Sequence, residues 1–562
     1  MLIDTPNGKL VAALSDWEAY AMADIATLVD VLDRAARMRP DFAPLTFIDS
    51  TERPPTNAEL DGLARVTAAR LTTLTRPGDR VLLVMPTGSD FVATFFGCLY
   101  AGVLPVPCPP PLPGSMAERF AAITADCTPS LLVTDRDWVA MLSATGVPTV
   151  VSAHDLCESP GHAGDFVAPD IAPSDPAYLQ YTGGTTGSPR GIVLTHANVV
   201  ANLGLASAAN ALTRDDLLVG WLPLFHDLGL VSQVLQPIYD GYSVVLMQPQ
   251  DFVADPARLL REVSDRSATL AALPGFAYDM LLRRIPPFDR AALALDSLRI
   301  ARTGAEVLEP SQMTAFLEGF APAGLKPVAL STGYGLGESV LHVCIAAPNT
   351  PPVIVQADRE SLTRGEVRRG VAGVGTVPLA GSGRPGPGVR VVIASLDDRH
   401  GLPAGDVGEI MVAGSSVSAG YWGESDSPLT AVDGEEGFLP TGDLGCLVGG
   451  ELFVLGRRAD LIIVGDRWLF PADIERTAAS AGSGIRAHAC AVFATDRGVV
   501  LVAETSRPDA VVTDAIATLV AAWHSVELAD IRLVGRGAIP MTTSGKIRRR
   551  HCRELYLRNA LV

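Results

Sequence analysis

Long unbroken apolar runs are scarce in this 562-residue chain. The most apolar stretch, Phe91 to Val106, falls short of the roughly 18–20 residues that a bilayer span requires, and Gly102 and Pro105 interrupt it. The opening MLIDTPNGKLVAALSDWEAY places acids early and lacks both a basic leader and a continuous apolar core, which argues against a signal peptide. No membrane insertion is expected, and the chain reads as cytoplasmic. Positive charge is also in deficit: 44 Lys and Arg against 62 Asp and Glu leave a formal net charge of -18. With no basic block before the KIRRR run near the C-terminus, nucleic acid is not an expected partner. Cysteine is thinly scattered. Cys98, Cys108, Cys127, Cys157, Cys344, Cys446, Cys490 and Cys552 form no CxxC pair and sit beside no His cluster. Reduced thiols are therefore expected, and neither a disulfide framework nor a zinc site.

What is present is apolar mass. Hydrophobic residues make up 48% and charged residues only 19%, which excludes a disordered chain. The length requires two or more packed units. From about residue 25 to 360, helix-like periods alternate with short aliphatic runs such as RVLLVMP, SLLVTD, YSVVLM and LKPVALSTGYG. That alternation predicts parallel α/β sheets covered on both faces. After about residue 385 the runs GVRVVIASL, GEIMVAG and GELFVLG, separated by Gly, Pro and Asp turns, predict a small β-rich unit. A compact α+β segment follows from about residue 460. The fold class expected is thus α/β and multi-domain. A large N-terminal region spans 1–458 with its β-rich part at about 385–458, and a small α+β domain spans 459–562.

One segment carries an anion-binding pattern: Tyr181-Thr182-Gly183-Gly184-Thr185-Thr186-Gly187-Ser188-Pro189-Arg190-Gly191, between two strand-like runs. Glycines let backbone N–H groups turn toward an anion, Thr hydroxyls add donors, and Arg190 offsets charge. It is not a P-loop, because no Lys-Ser/Thr ends it and no helix follows at once. Taken alone such a loop is as often a plain turn. Further blocks follow in order: Gly304-Ala305-Glu306, Tyr334-Gly335-Leu336-Gly337-Glu338, Gly383-Arg384-Pro385, Thr441-Gly442-Asp443, Gly456-Arg457 and Thr543-Ser544-Gly545-Lys546.

In that order the blocks resemble the adenylate-forming superfamily of acyl-CoA synthetases, luciferases and peptide-synthetase adenylation domains, over essentially the whole chain. Within it, Trp221-Leu222-Pro223-Leu224-Phe225-His226-Asp227-Leu228-Gly229-Leu230 and Pro274-Gly275-Phe276-Ala277-Tyr278-Asp279 are most similar to fatty acyl-AMP ligases, with Gly275 replacing an Asn. The segment of about 45 residues between Glu338 and Arg384 is long for a simple connection and matches an insertion of those ligases. The resemblance implies activation of a fatty acid or related carboxylic acid with ATP and Mg²⁺, then transfer to a phosphopantetheine acyl carrier protein supplied in trans. An acyl-CoA synthetase using free coenzyme A is the alternative, with a non-catalytic nucleotide-binding subunit behind it.

The resemblance also assigns roles. The loop Thr182, Gly183, Gly184, Thr185, Thr186, Gly187 with Arg190 would hold the β- and γ-phosphates. Gly304, Ala305 and Glu306 would flank adenine, with Gly333, Tyr334 and Gly335 bringing the Tyr334 ring against the purine; a core tyrosine is the plain alternative. Glu338 would bind Mg²⁺, Asp443 the ribose hydroxyls, and Arg457 the ribose or phosphate. His226 would sit beside the acyl carboxylate, or else be a satisfied core histidine. Lys546 would bridge the substrate carboxylate and the α-phosphate, two anions that otherwise repel. Ala459 falls at the family's hinge position, where relatives carry Lys or Asp. Arg548, Arg549 and Arg550 would meet a carrier or form an ordinary charged face.

Overall fold

A computed structural model describes residues 25–112, 114–158, 166–181, 189–304, 306–373, 375–482, 484–506, 510–542 and 546–561. Thr182 to Gly187, Ala305 and residues 543–545 therefore lie outside the described residues.

Local chemistry sets several helix starts. Thr56 caps the helix Asn57–Leu71 by accepting from the Glu59 N–H, and Glu59 answers by accepting from the Thr56 N–H at 2.8 Å. Thr195 and Asn198 make the same reciprocal cap on the helix His196–Asn210. The apolar stretch at Phe91 divides into a buried helix, Ser89–Tyr100, and a strand, Leu104–Pro107. Among the described residues no helix is long and apolar enough to cross a membrane.

Two largely parallel sheets dominate the first region, beside a two-stranded one of Pro176–Tyr181 and Gly191–Thr195. A four-stranded parallel sheet runs in the order Leu104–Pro107, Arg80–Val84, Leu131–Thr134, Val150–Ser152. The larger sheet has eight strands, six of them parallel in the order Leu45–Phe47, Ser243–Leu246, Leu217–Gly220, Leu270–Ala272, Ile300–Thr303, Leu330–Tyr334. Its alternate residues separate two cores. Leu218, Val244, Leu270 and Ile300 pack on one face, and Val219, Val245, Ala271 and Ala301 on the other. From Leu217–Gly220 the chain adds a strand on one side and then crosses to Leu270–Ala272 on the other. That reversal opens a crevice at the carboxyl ends of the strands, where α/β sheets bind ligands.

Downstream, the strands Val389–Ala394, Gly408–Gly414, Thr430–Val432, Glu435–Val448 and Glu451–Arg457 make an antiparallel sheet. The mixed α/β class and the β-rich stretch match the expectation. Beyond it, Ile485–Thr495, Gly498–Thr505 and Leu528–Val534 form a three-stranded sheet with the helices Pro471–Ala479, Ala510–His524 and Arg549–Leu557. The long segment after Glu338 contains a hairpin, Ile354–Asp358 with Thr376–Ala380, and the short helix Arg359–Leu362. It docks on the last segment: Arg359 pairs with buried Asp473 and lies 3.1 Å from His524 Nδ1, and the Trp468 N–H donates to the Thr363 carbonyl at 2.7 Å.

Candidate active site

The crevice is a cavity of about 740 Å³, within the range of small-molecule sites. Its wall takes residues from the sheet ends, from the β-rich sheet and from the last segment, including Ala459, Thr542 and Lys546. Close backbone approach shapes the floor. A Cβ on Gly304 would stand 2.6 Å from the Gly333 carbonyl oxygen, and one on Gly335 would stand 1.6 Å from that of Leu341. Only glycine fits either place.

Tyr334 ends the last parallel strand, and its hydroxyl donates to Asp443 Oδ2 at 2.8 Å. Asp443 faces Arg457 directly across two paired strands, and Arg457 Nε donates to Asp443 Oδ1 at 2.7 Å. Burial raises the Asp443 carboxyl above its ordinary range against the pull of Arg457, Tyr334 and Lys546. Asp443 in turn holds Arg457 above its own ordinary value. Tyr334 packs in a core cluster and also lines the cavity.

Glu338 follows on a short 3-10 turn. Tyr421 donates its hydroxyl to Glu338 Oε1 at 3.0 Å, and burial raises the Glu338 carboxyl above its ordinary range. The Arg190 guanidinium stacks 3.4 Å over the Tyr421 ring and is held by both Glu424 oxygens at 2.9 and 2.6 Å. Arg190 thus reaches the wall with its fork already engaged. Among the described residues no group of three or more His, Cys, Asp or Glu side chains could hold a metal ion. A lone carboxylate fits a Mg²⁺ that arrives with phosphate oxygens, and not a resident all-protein cage.

His226 and Asp227 open a helix after the strand Leu217–Gly220, and a π-helical turn at Val231–Leu235 follows at once. The His226 side chain keeps 32% exposure toward the cavity, with Nδ1 2.5 Å from Asp227 Oδ1. It is not a satisfied core histidine. The Leu228 N–H also donates to Asp227 Oδ1, at 2.7 Å. Burial pushes the Asp227 carboxyl upward, but His226, these hydrogen bonds and Lys546 together take it below its ordinary value.

Lys546 projects from a turn closed by the Thr542 N–H donating to the Lys546 carbonyl at 2.8 Å. Burial and then the Arg457 charge lower its ammonium below the usual lysine value, opposed by Glu306, Asp227 and Asp443. Arg476 locks this segment on by donating to Glu309 at 2.8 and 3.0 Å. Glu306 sits against Gly275, where an added Cβ would meet its Oε1 at 2.3 Å, so the glycine at that block leaves room for the acid. In the basic run, Arg549 turns inward to Glu475 and Asp460 and is no part of an open charged face.

The structure therefore brings together His226, Glu338, Gly304, Gly333, Tyr334, Gly335, Arg190, Arg457 and Lys546 on one cavity wall, with Asp443 bonded to two of them. Sequence reasoning did not single out Arg119, Gln180, Tyr421, Glu409, Arg302 or His342, which share the wall. Asp227 had a signal in its place directly after His226. Tyr421 and Arg119 had none, since only folding carries them to the crevice.

Comparison with known proteins follows the same lines. Residues 32–422 match the AMP-binding enzyme family, and residues 460–562 match a family described as Disco-interacting protein 2-like, AMP domain. A long-chain-fatty-acid–AMP ligase, FadD26, of Mycobacterium marinum is 34% identical over 94% of this chain and 97% of its own length. A 4-hydroxyphenylalkanoate adenylyltransferase of the same species is 34% identical over 99% of this chain and 94% of its own. Among solved structures, one from studies of fatty acyl-adenylate ligases of E. coli and L. pneumophila superposes with a TM-score of 0.87 at 30% identity, covering 96% of this chain and 99% of that one. An L. pneumophila fatty acyl-adenylate ligase in complex with acyl adenylate and pyrophosphate has a TM-score of 0.76 at 29% identity, with 95% and 97% covered.

Proposed function

The chain belongs to the AMP-binding enzyme family, and from that premise we propose that it condenses a fatty or related carboxylic acid with ATP, forming acyl-AMP and pyrophosphate, and passes the acyl group to a carrier-protein thiol. One observation carries the reading: a single cavity gathers Lys546, the His226–Asp227 pair, Glu338 and the Tyr334–Asp443–Arg457 cluster. Relatives named for long-chain fatty acids and for 4-hydroxyphenylalkanoates support an acid with a sizeable apolar body.

The roles follow from charge and position. A carboxylate oxygen attacks the α-phosphorus, the new P–O bond forms, and the bond to pyrophosphate breaks. Both partners are anions, so a cation between them lowers the barrier, and Lys546 is that cation. His226, held through Nδ1 by Asp227, presents its other ring nitrogen to the acid. Tyr334 and Arg457 orient the Asp443 carboxylate, whose remaining lone pairs accept ribose hydroxyls. The 182–187 loop, with Arg190 once released from Glu424, binds the β- and γ-phosphates. Glu338 would hold Mg²⁺, which when bound neutralises phosphate charge.

Transfer to the thiol requires the segment 459–562 to swing away as a hinged unit, taking Lys546 with it. The contacts of the 354–380 hairpin region with Asp473, His524 and Trp468 support a restrained swing, and with it the carrier-dependent ligase over a coenzyme A synthetase. The test is pyrophosphate release with a panel of acids, hydroxylamine trapping, and parallel offers of coenzyme A and a phosphopantetheinylated carrier. Acyl-AMP with transfer only to the carrier supports the reading. Rapid acyl-CoA formation overturns the carrier-dependent half.

A further inference from the structure

Alternate residues of a strand share a face. On the face that holds Ile300, the neighbouring strands contribute Leu218 and Leu270, all within one apolar cluster. Arg302 shares that face. It lines both the main cavity and a smaller adjoining one of about 60 Å³, whose wall includes Leu212, Leu218, Leu270 and Ile300. Among the described residues, only Leu228, Arg302 and His342 belong to both walls.

The guanidinium donates to Asn210 Oδ1 and, at 3.4 Å, to the Thr332 carbonyl, and both acceptors are neutral. Among the described residues no carboxylate pairs with it. Elsewhere the chain supplies one: Arg299 pairs with Asp216, and Arg359 with Asp473. Burial draws the Arg302 guanidinium down to about 10, so it remains a cation at neutral pH. Burial and the Arg302 charge hold the neighbouring His342 imidazole neutral, down to about 3. Its ring makes no hydrogen bond among the described residues, leaving a second polar group open to both cavities. A half-buried cation without an anion gains no pairing energy, and methylenes laid against it would strip the water that now solvates it, at a cost.

We propose that Arg302 recognises an anionic group at the far end of the acid substrate, so that the preferred substrates carry a second carboxylate or an equivalent anion. This rests on the adenylation reading. The reacting carboxylate meets Lys546 and His226, and the chain between the two ends spans the main cavity to the mouth of the side cavity. There the second anion pairs with the fork of Arg302. The side cavity holds only a few water-sized groups, enough for such a head but not for a long alkyl tail. Arg302 is then the residue that sets specificity, since an acid ending in a methyl group leaves the charge unpaired.

The experiment is ATP–pyrophosphate exchange with a length series of α,ω-dicarboxylic acids and the monocarboxylic acids of equal length, on the wild type, Arg302→Leu and Arg302→Lys. At the best length, kcat/KM for the diacid should exceed that of the monoacid by about 100-fold. Arg302→Leu should reverse the order, and Arg302→Lys should keep it in weaker form. Monoacids preferred at every length overturn the proposal while leaving adenylation intact. Equal loss of both classes in Arg302→Leu, with its Tm unchanged, also overturns it, because Arg302 would then serve the reacting carboxylate. If no acid of either class supports exchange, the adenylation reading itself fails. Should Arg302→Leu not fold, the wild-type panel and Arg302→Lys decide the matter.

Discussion

Removing the Lys546 ammonium should abolish most of the first half-reaction while sparing the second. The side chain is a buried cation on the cavity wall, lowered in pKa by burial and by Arg457. Two unit charges about 4 Å apart at an effective dielectric near 20 interact by about 4 kcal/mol. Arg457 remains in the variant and takes up part of that stabilisation, which leaves about 3–4 kcal/mol, or a loss of roughly 10²–10³ in kcat. The turn that presents Lys546 is closed through backbone groups and the Thr542 hydroxyl, so Lys546→Ala should keep its fold. The assay is hydroxylamine-trapped acyl-AMP formation, beside transfer from presynthesised acyl-AMP to the carrier. Transfer should survive. Because the cation is required, wild-type adenylation should fall as pH rises through the lowered lysine pKa, and Lys546→Arg should move that limb upward. A loss under about tenfold, or an equal loss of both halves, would refute the electrostatic argument.

Tyr334→Phe removes one donor from the buried Asp443 carboxylate and should cost about 1–3 kcal/mol, read as a rise in KM for ATP with kcat nearly kept. Buried His196 and His524 are held neutral in the fold, at about 4 and about 3, each chiefly by burial. The unfolded chain binds more protons below about pH 6.5, so their stability contribution is complete above that value and is lost as pH falls toward those folded values; at pH 5 thermal melts should show about 2 kcal/mol lost for each. Arg359→Ala leaves buried Asp473 with Arg476 as its remaining partner and should destabilise by about 1–3 kcal/mol. Hydrogen exchange should then rise in the helices Pro471–Ala479 and Ala510–His524 before it rises in the large sheet, and uniform protection would contradict the tether.

Much of the molecule was legible without coordinates, because it depends on local periodicity and on ordered motifs. Alternating short strands and helices predict a parallel sheet, since such strands bury both faces, and the two cores on either side of the eight-stranded sheet are that burial. Tyr334, Glu338, Asp443, Arg457 and Lys546 were legible from their blocks. Their exact neighbours were not. The Tyr421 hydroxyl on Glu338 and the Glu424 carboxylate on Arg190 are settled by where distant segments pack. Arg549 stood in the same basic run as Arg548 and Arg550, yet the helix Arg549–Leu557 turns it toward Glu475 and Asp460.

Arg302 marks the division most clearly. In sequence it is one charged residue at the end of an apolar strand, and a solvated strand terminus would look the same. Strand order alone brings Leu270–Ala272 and Leu330–Tyr334 to either side of it and sets it, half-buried, in the cavity wall. The residue types and their order determine that an anion-handling crevice forms at the strand ends. Which charges enter that crevice paired, and which enter alone, is decided by long-range packing, because a side chain's solvation depends on neighbours that no local pattern encodes.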